Sequence, residues 1–218
     1  MNLSQEQQLI EQAKTDASAF GLLFDAYYEP IYGYCLKRLG TVEVAQDITS
    51  ETFYKALQKI HRFTWRGISI SAWFYQIANN EMRMYFRRNR HFTISLDVLY
   101  DQTGYEPISA HDLLAETIAA QEMIDRKSHF LLAQRHLAAL PVKYQEVITL
   151  RYMENKKHSE ISQILCKKEG TVKSLLSRGI ALLRKRLEVD QMQPIPGLGI
   201  TPCEGILLSI KPEGSDEG

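Results

Sequence analysis

Hydrophobic positions recur along this chain at helical steps, and no stretch reads as a strand. Between residues 17 and 90, Phe20, Phe24, Tyr27, Ile31, Tyr34 and Leu36 fall three and four positions apart, with slips, the spacing of a helix face. Pro30 either opens a new helix at its first position or kinks a continuous one. Gly40 marks a stop and Thr41 a cap for the next helix, predicted to run to about His61. Its more apolar side carries Val44, Ile48, Phe53, Leu57 and Ile60. A loop over 63–70, marked by Gly67, precedes a third helix predicted over 72–89, with Ser71 as its cap and Trp73, Ile77 and Met84 on its apolar side.

The pattern then lapses. Residues 91–113 hold Gly104, Pro107 and several Ser and Thr, which predicts a linker, and an amphipathic helix resumes by Ala115. Helical spacing returns over 137–187. Pro141 suits a first helical position, and Val147, Ile148 and Leu150 supply core. A short helix over 159–165 turns Ile161, Ile164 and Leu165 inward. A longer basic one over 170–187 does the same with Val172, Leu175, Leu176, Ile180 and Leu183. Two such helices across a tight turn are a helix-turn-helix. Residues 191–218 hold Pro194, Pro196, Pro202 and Pro212 and read as an irregular tail, although Ile206, Leu207, Leu208 and Ile210 give it an apolar patch that could dock on a domain.

Charge changes this picture. The 26 basic and 26 acidic residues cancel, which by itself argues against nucleic-acid binding, but their distribution argues the other way. Arg83, Arg87, Arg88 and Arg90 form one basic block. Lys167, Lys168, Lys173, Arg178, Arg184, Lys185 and Arg186 form another, broken by Glu169 alone. Between them lie Asp97, Asp101, Glu106, Asp112, Glu116, Glu122 and Asp125 with no Lys or Arg. Two basic blocks around an acidic one imply two polyanion-facing surfaces.

The candidate chemistry is recognition and not catalysis. Cys35, Cys166 and Cys203 are far apart and form no CxxC pair, so no zinc site or disulfide framework is expected. The six histidines are scattered and no Gly-rich phosphate loop occurs. No cofactor or metal is expected, and the chain is not expected to be an enzyme. The polar start, and the lack of any apolar run of about 20 residues, lead to an expected cytoplasmic location. On the last helix, Lys173, Ser174, Ser177 and Arg178 share one face, with Thr171 near its start. These types suit base edges and phosphates. On the third helix, Asn79, Asn80, Arg83, Tyr85, Phe86, Arg87 and Arg88 combine the amides, aromatics and cations that hold unstacked bases. Tyr85 and Phe86 fit core equally well, Trp73, Phe74 and Ile77 read as core, and Trp65 is a further stacking candidate.

These segments resemble a known family. LAALPVKYQEVITLRYMENKKHSEISQILCKKEGTVKSLLSRGIALLRKRL resembles region 4 of sigma-70 family factors. AFGLLFDAYYEPIYGYCLKRLG, DITSETFYKALQKIHRF and ISAWFYQIANNEMRMYFRRNRH resemble its region 2. Neither region 1.1 nor a long region 3 is seen, which points to the small extracytoplasmic-function (ECF) group. The resemblance implies an all-α chain of two small helical domains joined by a flexible acidic linker. Residues 1–91 would be region 2, 92–125 the linker, 126–188 a helix-turn-helix region 4, and 189–218 the tail. It implies a sigma factor that binds core RNA polymerase and promoter DNA and directs transcription initiation, with an anti-sigma factor as a further partner. The last helix would read the −35 element and the third the −10 element, Asn80 matching the asparagine of the family's IARN motif. Asp47, Ser50 and Glu51 would contact the polymerase, although the family usually has glutamine at Ser50. Other departures are Cys166, Lys167 and Lys168 at the turn, which predict a longer or looser connection, Leu175 in place of a common basic residue, and Gly179 in place of a usual alanine. The alternatives are a conventional helix-turn-helix regulator acting without core polymerase, and a degenerate sigma that only titrates polymerase.

Overall fold

The computed structural model describes residues 2–89 and 135–191, with side chains as far as Leu187. The expected linker, the helix resuming by Ala115, Arg90 and the 192–218 tail lie outside the described residues. The described residues are helical, without a strand. The first unit has four helices: α1 (Leu3–Ala13), α2 (Ala17–Leu39), α3 (Val42–Lys59), extended by a 3-10 turn (Ile60–Arg62), and α4 (Ser71–Arg88). The second has α5 (Val142–Ile148), which widens into a π turn (Thr149–Met153), then α6 (His158–Ile164) and α7 (Glu169–Gln191).

Helix α1 is absent from the hydrophobic reading because it buries only Glu6, Ile10 and Ala13. Its local signal is a capping box, in which the Asn2 side chain takes the Gln5 amide at 2.8 Å and the Gln5 side chain takes the Asn2 amide at 3.1 Å. Helix α2 runs unbroken through Pro30. Proline leaves the carbonyl four residues back without a donor, and here both Pro30 and Ala26 are exposed, so water can serve that group. Gly40 ends α2 at φ 68°, its amide bonded to Leu36, as a left-handed glycine stop requires.

The first core is aromatic. Phe53 of α3 sits 4.9 Å from Phe24 and 5.0 Å from Phe74 between ring centroids, and Tyr27 lies 5.5 Å from Phe74. Phe53 and Phe74 are buried, and full burial of such a ring contributes about 1.5–3 kcal/mol. Helix α4 sits rotated from the predicted register. Phe74, Tyr75, Ala78, Asn79, Glu81 and Met82 face inward, whereas Trp73, Ile77 and Met84 are only half-buried. The expected Ser71 cap is also displaced: Ile70 is the N-cap residue, and the Ser69 hydroxyl takes the Ser71 amide at 3.2 Å.

The second core joins Tyr144, Val147 and Ile148 of α5 to Ile161 and Ile164 of α6 and Val172, Leu176 and Leu183 of α7. The turn between α6 and α7 is closed and not loose. Cys166 adopts φ 52°, while the Lys167 amide bonds back to Ser162 at 2.8 Å and the Cys166 amide to Gln163 at 3.2 Å. This is a Schellman stop with cysteine in the position that glycine favours. Gly179 also has a structural reason. A Cβ there would lie 3.0 Å from Ile148 Cδ1 and 3.2 Å from Tyr144 Cβ, so any side chain at the crossing would press on α5.

Candidate nucleic-acid interface

Burial of one face of α4 decides which of its polar residues face outward. Asn79 is 1% exposed. Its Oδ1 accepts from Tyr34 at 2.8 Å and from Arg38 Nη1 at 2.7 Å, and its Nδ2 donates to the Tyr75 carbonyl at 2.8 Å. Both amide atoms are therefore spent inside the domain, and the predicted contact residue Asn79 is a buried polar brace. Burial pushes the Tyr34 hydroxyl up to about 12, so it stays a neutral donor to that brace. Asn80, one step round the helix, is exposed, as are Arg87 and Arg88, while Tyr85 and Phe86 are half-buried with rings 5.9 Å apart.

Arg83 is engaged by the second unit. Its Nε donates to Glu146 Oε1 at 2.6 Å and its Nη2 to Oε2 at 2.7 Å, while its Nη1 reaches Asn80 at 3.2 Å. The hydrogen bond that Arg83 donates to Glu146 holds its guanidinium above its usual pKa. Further contacts join the units. Glu154, just past the π turn, accepts from Lys37 at 2.8 Å and from the Tyr75 hydroxyl at 2.9 Å. Burial and then Glu154 itself push the Tyr75 hydroxyl up. Lys156 lies 4.9 Å from the centroid of the Tyr75 ring.

The loop ahead of α4 makes a cavity that sequence reasoning missed. Gly67 turns it at φ 75°. A space of about 820 Å³ opens between this loop, the start of α4 and the end of α6, walled by Arg62, Arg66, Trp73, Gln76, Gln163 and Cys166. Trp73, which read as core, is half-buried and supplies the aromatic wall. Trp65, the residue singled out from the sequence, packs on the core and is not part of that wall. An aromatic face among cations and amides suits an unstacked base.

A second residue missed by the sequence holds the loop. Glu6 of α1, 2% exposed, takes three donors on Oε1: the Tyr27 hydroxyl at 2.9 Å, the Ser69 hydroxyl at 3.0 Å and the Ile70 amide at 2.6 Å. Burial is the main cause that lifts the Tyr27 hydroxyl to about 12.

On α7, Thr171, Lys173, Ser177 and Arg178 are exposed opposite the buried Val172, Leu175 and Leu176, with Ser174 half-buried. The Ser174 hydroxyl donates to the Thr171 carbonyl at 3.0 Å, which occupies its hydrogen while leaving its oxygen able to accept. On α3, Asp47 and Ser50 are exposed, and Glu51 is half-buried and paired with Lys55 at 3.0 Å. Lys55 also meets the buried Glu81 at 2.6 Å. Tyr54 and Leu57 project from this helix at 57% and 42% exposure, so its outer surface joins acids to apolar groups.

Residues 23–92 match the family model for Sigma-70 region 2, and residues 131–183 that for Sigma-70, region 4. The chain is 30% identical over 190 residues to ECF RNA polymerase sigma factor SigW of Bacillus subtilis, covering 86% of this chain and 98% of SigW. It is also 30% identical over 185 residues to ECF RNA polymerase sigma factor BldN of Streptomyces coelicolor, covering 84% of this chain and 66% of BldN. Among solved structures, CnrH in complex with the cytosolic domain of CnrY shares the fold, with a TM-score of 0.58 at 19% identity, covering 85% of this chain and 98% of CnrH. Two matched regions in family order, together with a relative aligned over nearly its whole length, place this chain among the ECF sigma factors of the sigma-70 family.

Proposed function

We propose that this chain binds core RNA polymerase and directs promoter recognition and transcription initiation by reading two unlike DNA elements with two differently built helices. The observation that carries this reading is the pairing, on one chain, of α4 and its loop cavity with the helix-turn-helix of α6 and α7. Asn80, Arg83, Arg87 and Arg88, with Tyr85 and Phe86, take the −10 strand, and Asn79 braces them from beneath. An unstacked base stacks on Trp73 against the wall made by the 63–70 loop and α4, which belongs to the first unit alone and stays when Gln163 and Cys166 of the second unit withdraw. Thr171, Lys173, Ser174, Ser177 and Arg178 take the −35 duplex. Asp47, Ser50 and Glu51 contact the polymerase, helped by Tyr54 and Leu57. Capture of unstacked bases drives melting, bond-making belongs to the polymerase, and the chain acts in the cytoplasm.

The described state is closed, because α4 and α6 are in contact. The two elements lie about 25 base pairs apart, roughly 85 Å along the duplex, so one chain in this state cannot hold both. A segment of about 30 residues spans roughly 100 Å when extended, which lets the units separate on the polymerase. Separation frees the Arg83 fork for phosphate. An anti-sigma partner fits this scheme, since CnrH was solved with the cytosolic domain of CnrY and a Bartonella quintana sigma factor with an anti-sigma factor.

The test is transcription in vitro with purified chain and sigma-free core polymerase on genomic fragments. Discrete start sites that share upstream elements support the reading. Duplex binding without core polymerase and without transcripts would instead mark a conventional regulator.

A further inference from the structure

We propose that Glu6 is a positioning residue for −10 selectivity, holding the 63–70 loop and the first turn of α4 in the geometry that selects a base. The inference rests on the reading of α4 and the adjoining cavity as the −10 site. Glu6 lies outside the segment matched to region 2, which begins at residue 23.

Helix α4 has no side-chain cap of its own. Its N-cap residue is Ile70, which has no side chain able to bond the first turn. Helix starts expose amides that need acceptors and favour negative charge. Glu6 supplies both from another helix, with Oε1 taking the Ile70 amide at 2.6 Å. Its second partner extends the hold, because the Ser69 hydroxyl donates to Glu6 at 3.0 Å while accepting the Ser71 amide at 3.2 Å. One carboxylate oxygen therefore fixes three successive residues at the junction of loop and helix.

That junction is part of the cavity. Ser69 and Ala72 line it beside Trp73, so a shift of the loop end moves the wall on which a base would stack. Glu6 itself is 2% exposed and cannot touch DNA. Its effect on selectivity must pass through Ser69 and Ile70. A buried carboxylate is costly without donors, which makes this position either satisfied by the loop or a liability to the fold.

The experiment uses full-length chain, core polymerase and a promoter varied at each −10 and −35 position, and reads transcript ratios between preferred and substituted bases. Glu6→Ala is expected to lower discrimination roughly tenfold at one or two adjacent −10 positions, the scale of a lost charge-assisted hydrogen bond. Discrimination at −35 and affinity for core stay unchanged. Glu6→Gln keeps an acceptor oxygen and retains most of the selectivity. Ser69→Ala shifts the same positions more weakly, and it carries the test alone if Glu6→Ala does not fold. Unchanged −10 discrimination, or an equal loss at −10 and −35, overturns the proposal. Trp73→Ala and Asn80→Ala separate the two levels. If they leave −10 discrimination intact, the −10 site itself is misplaced. If they alter it and the Glu6 and Ser69 variants do not, only the positioning role fails.

Discussion

Arg83 of α4 and Glu146 of α5 form a two-point ion pair, at 2.6 Å through Nε and 2.7 Å through Nη2. The parallel geometry suits a guanidinium and a carboxylate, and it is the strong form of such a bond. The two ends differ in environment: the Glu146 side chain is 2% exposed and that of Arg83 39%. A residue proposed to hold DNA thus spends the closed state on a carboxylate of the second unit.

Glu146→Gln is expected to loosen the closed state. Water already screens the Arg83 end, so the loss is about 1 kcal/mol, close to fivefold in the closed-to-open ratio. Small-angle scattering and limited proteolysis should show more open chain, and free sigma should bind a single-stranded −10 oligonucleotide more tightly. Raising salt should open wild type, read by scattering, more than it opens the variant. An unchanged radius with unchanged binding would mean that the pair does not hold the units together.

Cys166→Gly is expected to stabilise the helix-turn-helix. A side chain at φ 52° carries a left-handed penalty of about 1 kcal/mol that glycine does not. For a domain of this size the melting midpoint should rise by about 4 °C. Cys166→Ala keeps a Cβ and should show no such rise, although both variants lose the contact from Gln76 Nε2 to the sulfur at 2.9 Å. Equal midpoints for the two variants would remove strain as the explanation.

Periodicity made the helices legible where burial is one-sided. The buried Val172, Leu176 and Leu183 of α7 sit at the spacing of a helix face, and Gly40 behaves as its type implies. What failed to show depends on rotation and on distant partners. Asn79 and Asn80 are one residue type one step apart, and only the rotation of α4 about its axis sends one to Arg38 and the other to solvent. Trp73 read as core because an aromatic at helical spacing usually is, yet the loop leaves one side open. Glu6 looks like an ordinary helix-surface acid until α1 is laid across the end of the loop. The turn at Cys166 looked loose because a residue other than glycine stands in its left-handed position, but its closure is set by backbone bonds that such a residue also makes.

Alkaline pH should unfold the first unit through its buried tyrosines. Burial raises Tyr34 to about 12 from the ordinary value of about 10, and Tyr27 likewise. A raised tyrosine pKa means that the fold prefers the neutral phenol. The stability it contributes is complete below the unfolded value and disappears as pH rises through the folded one. Denaturant midpoints should therefore stay level to about pH 10 and fall above it. Tyr34→Phe should lower neutral-pH stability by about 1 kcal/mol through the lost bond to Asn79, and it should flatten the alkaline decline. A decline of the same slope in Tyr34→Phe would place the titration elsewhere.

Gly179→Ala sets two effects of known sign against each other. Alanine gains about 1 kcal/mol of helix propensity over glycine. Its Cβ would meet Ile148 Cδ1 at 3.0 Å and Tyr144 Cβ at 3.2 Å. The Ile148 methyl is the far end of a side chain and can turn away. The Tyr144 Cβ is tied to the backbone of α5 and cannot move without the helix. Overpacking of this kind costs about 1–3 kcal/mol, so the contact outweighs the propensity, and the variant should lose about 1 kcal/mol in urea unfolding. Ile148→Val removes the nearer atom and should restore part of that loss in the double variant, a coupling that a cycle of the two substitutions measures. A stabilised Gly179→Ala would mean that α5 yields to the new methyl, and that the glycine is not what sets the distance between α5 and α7.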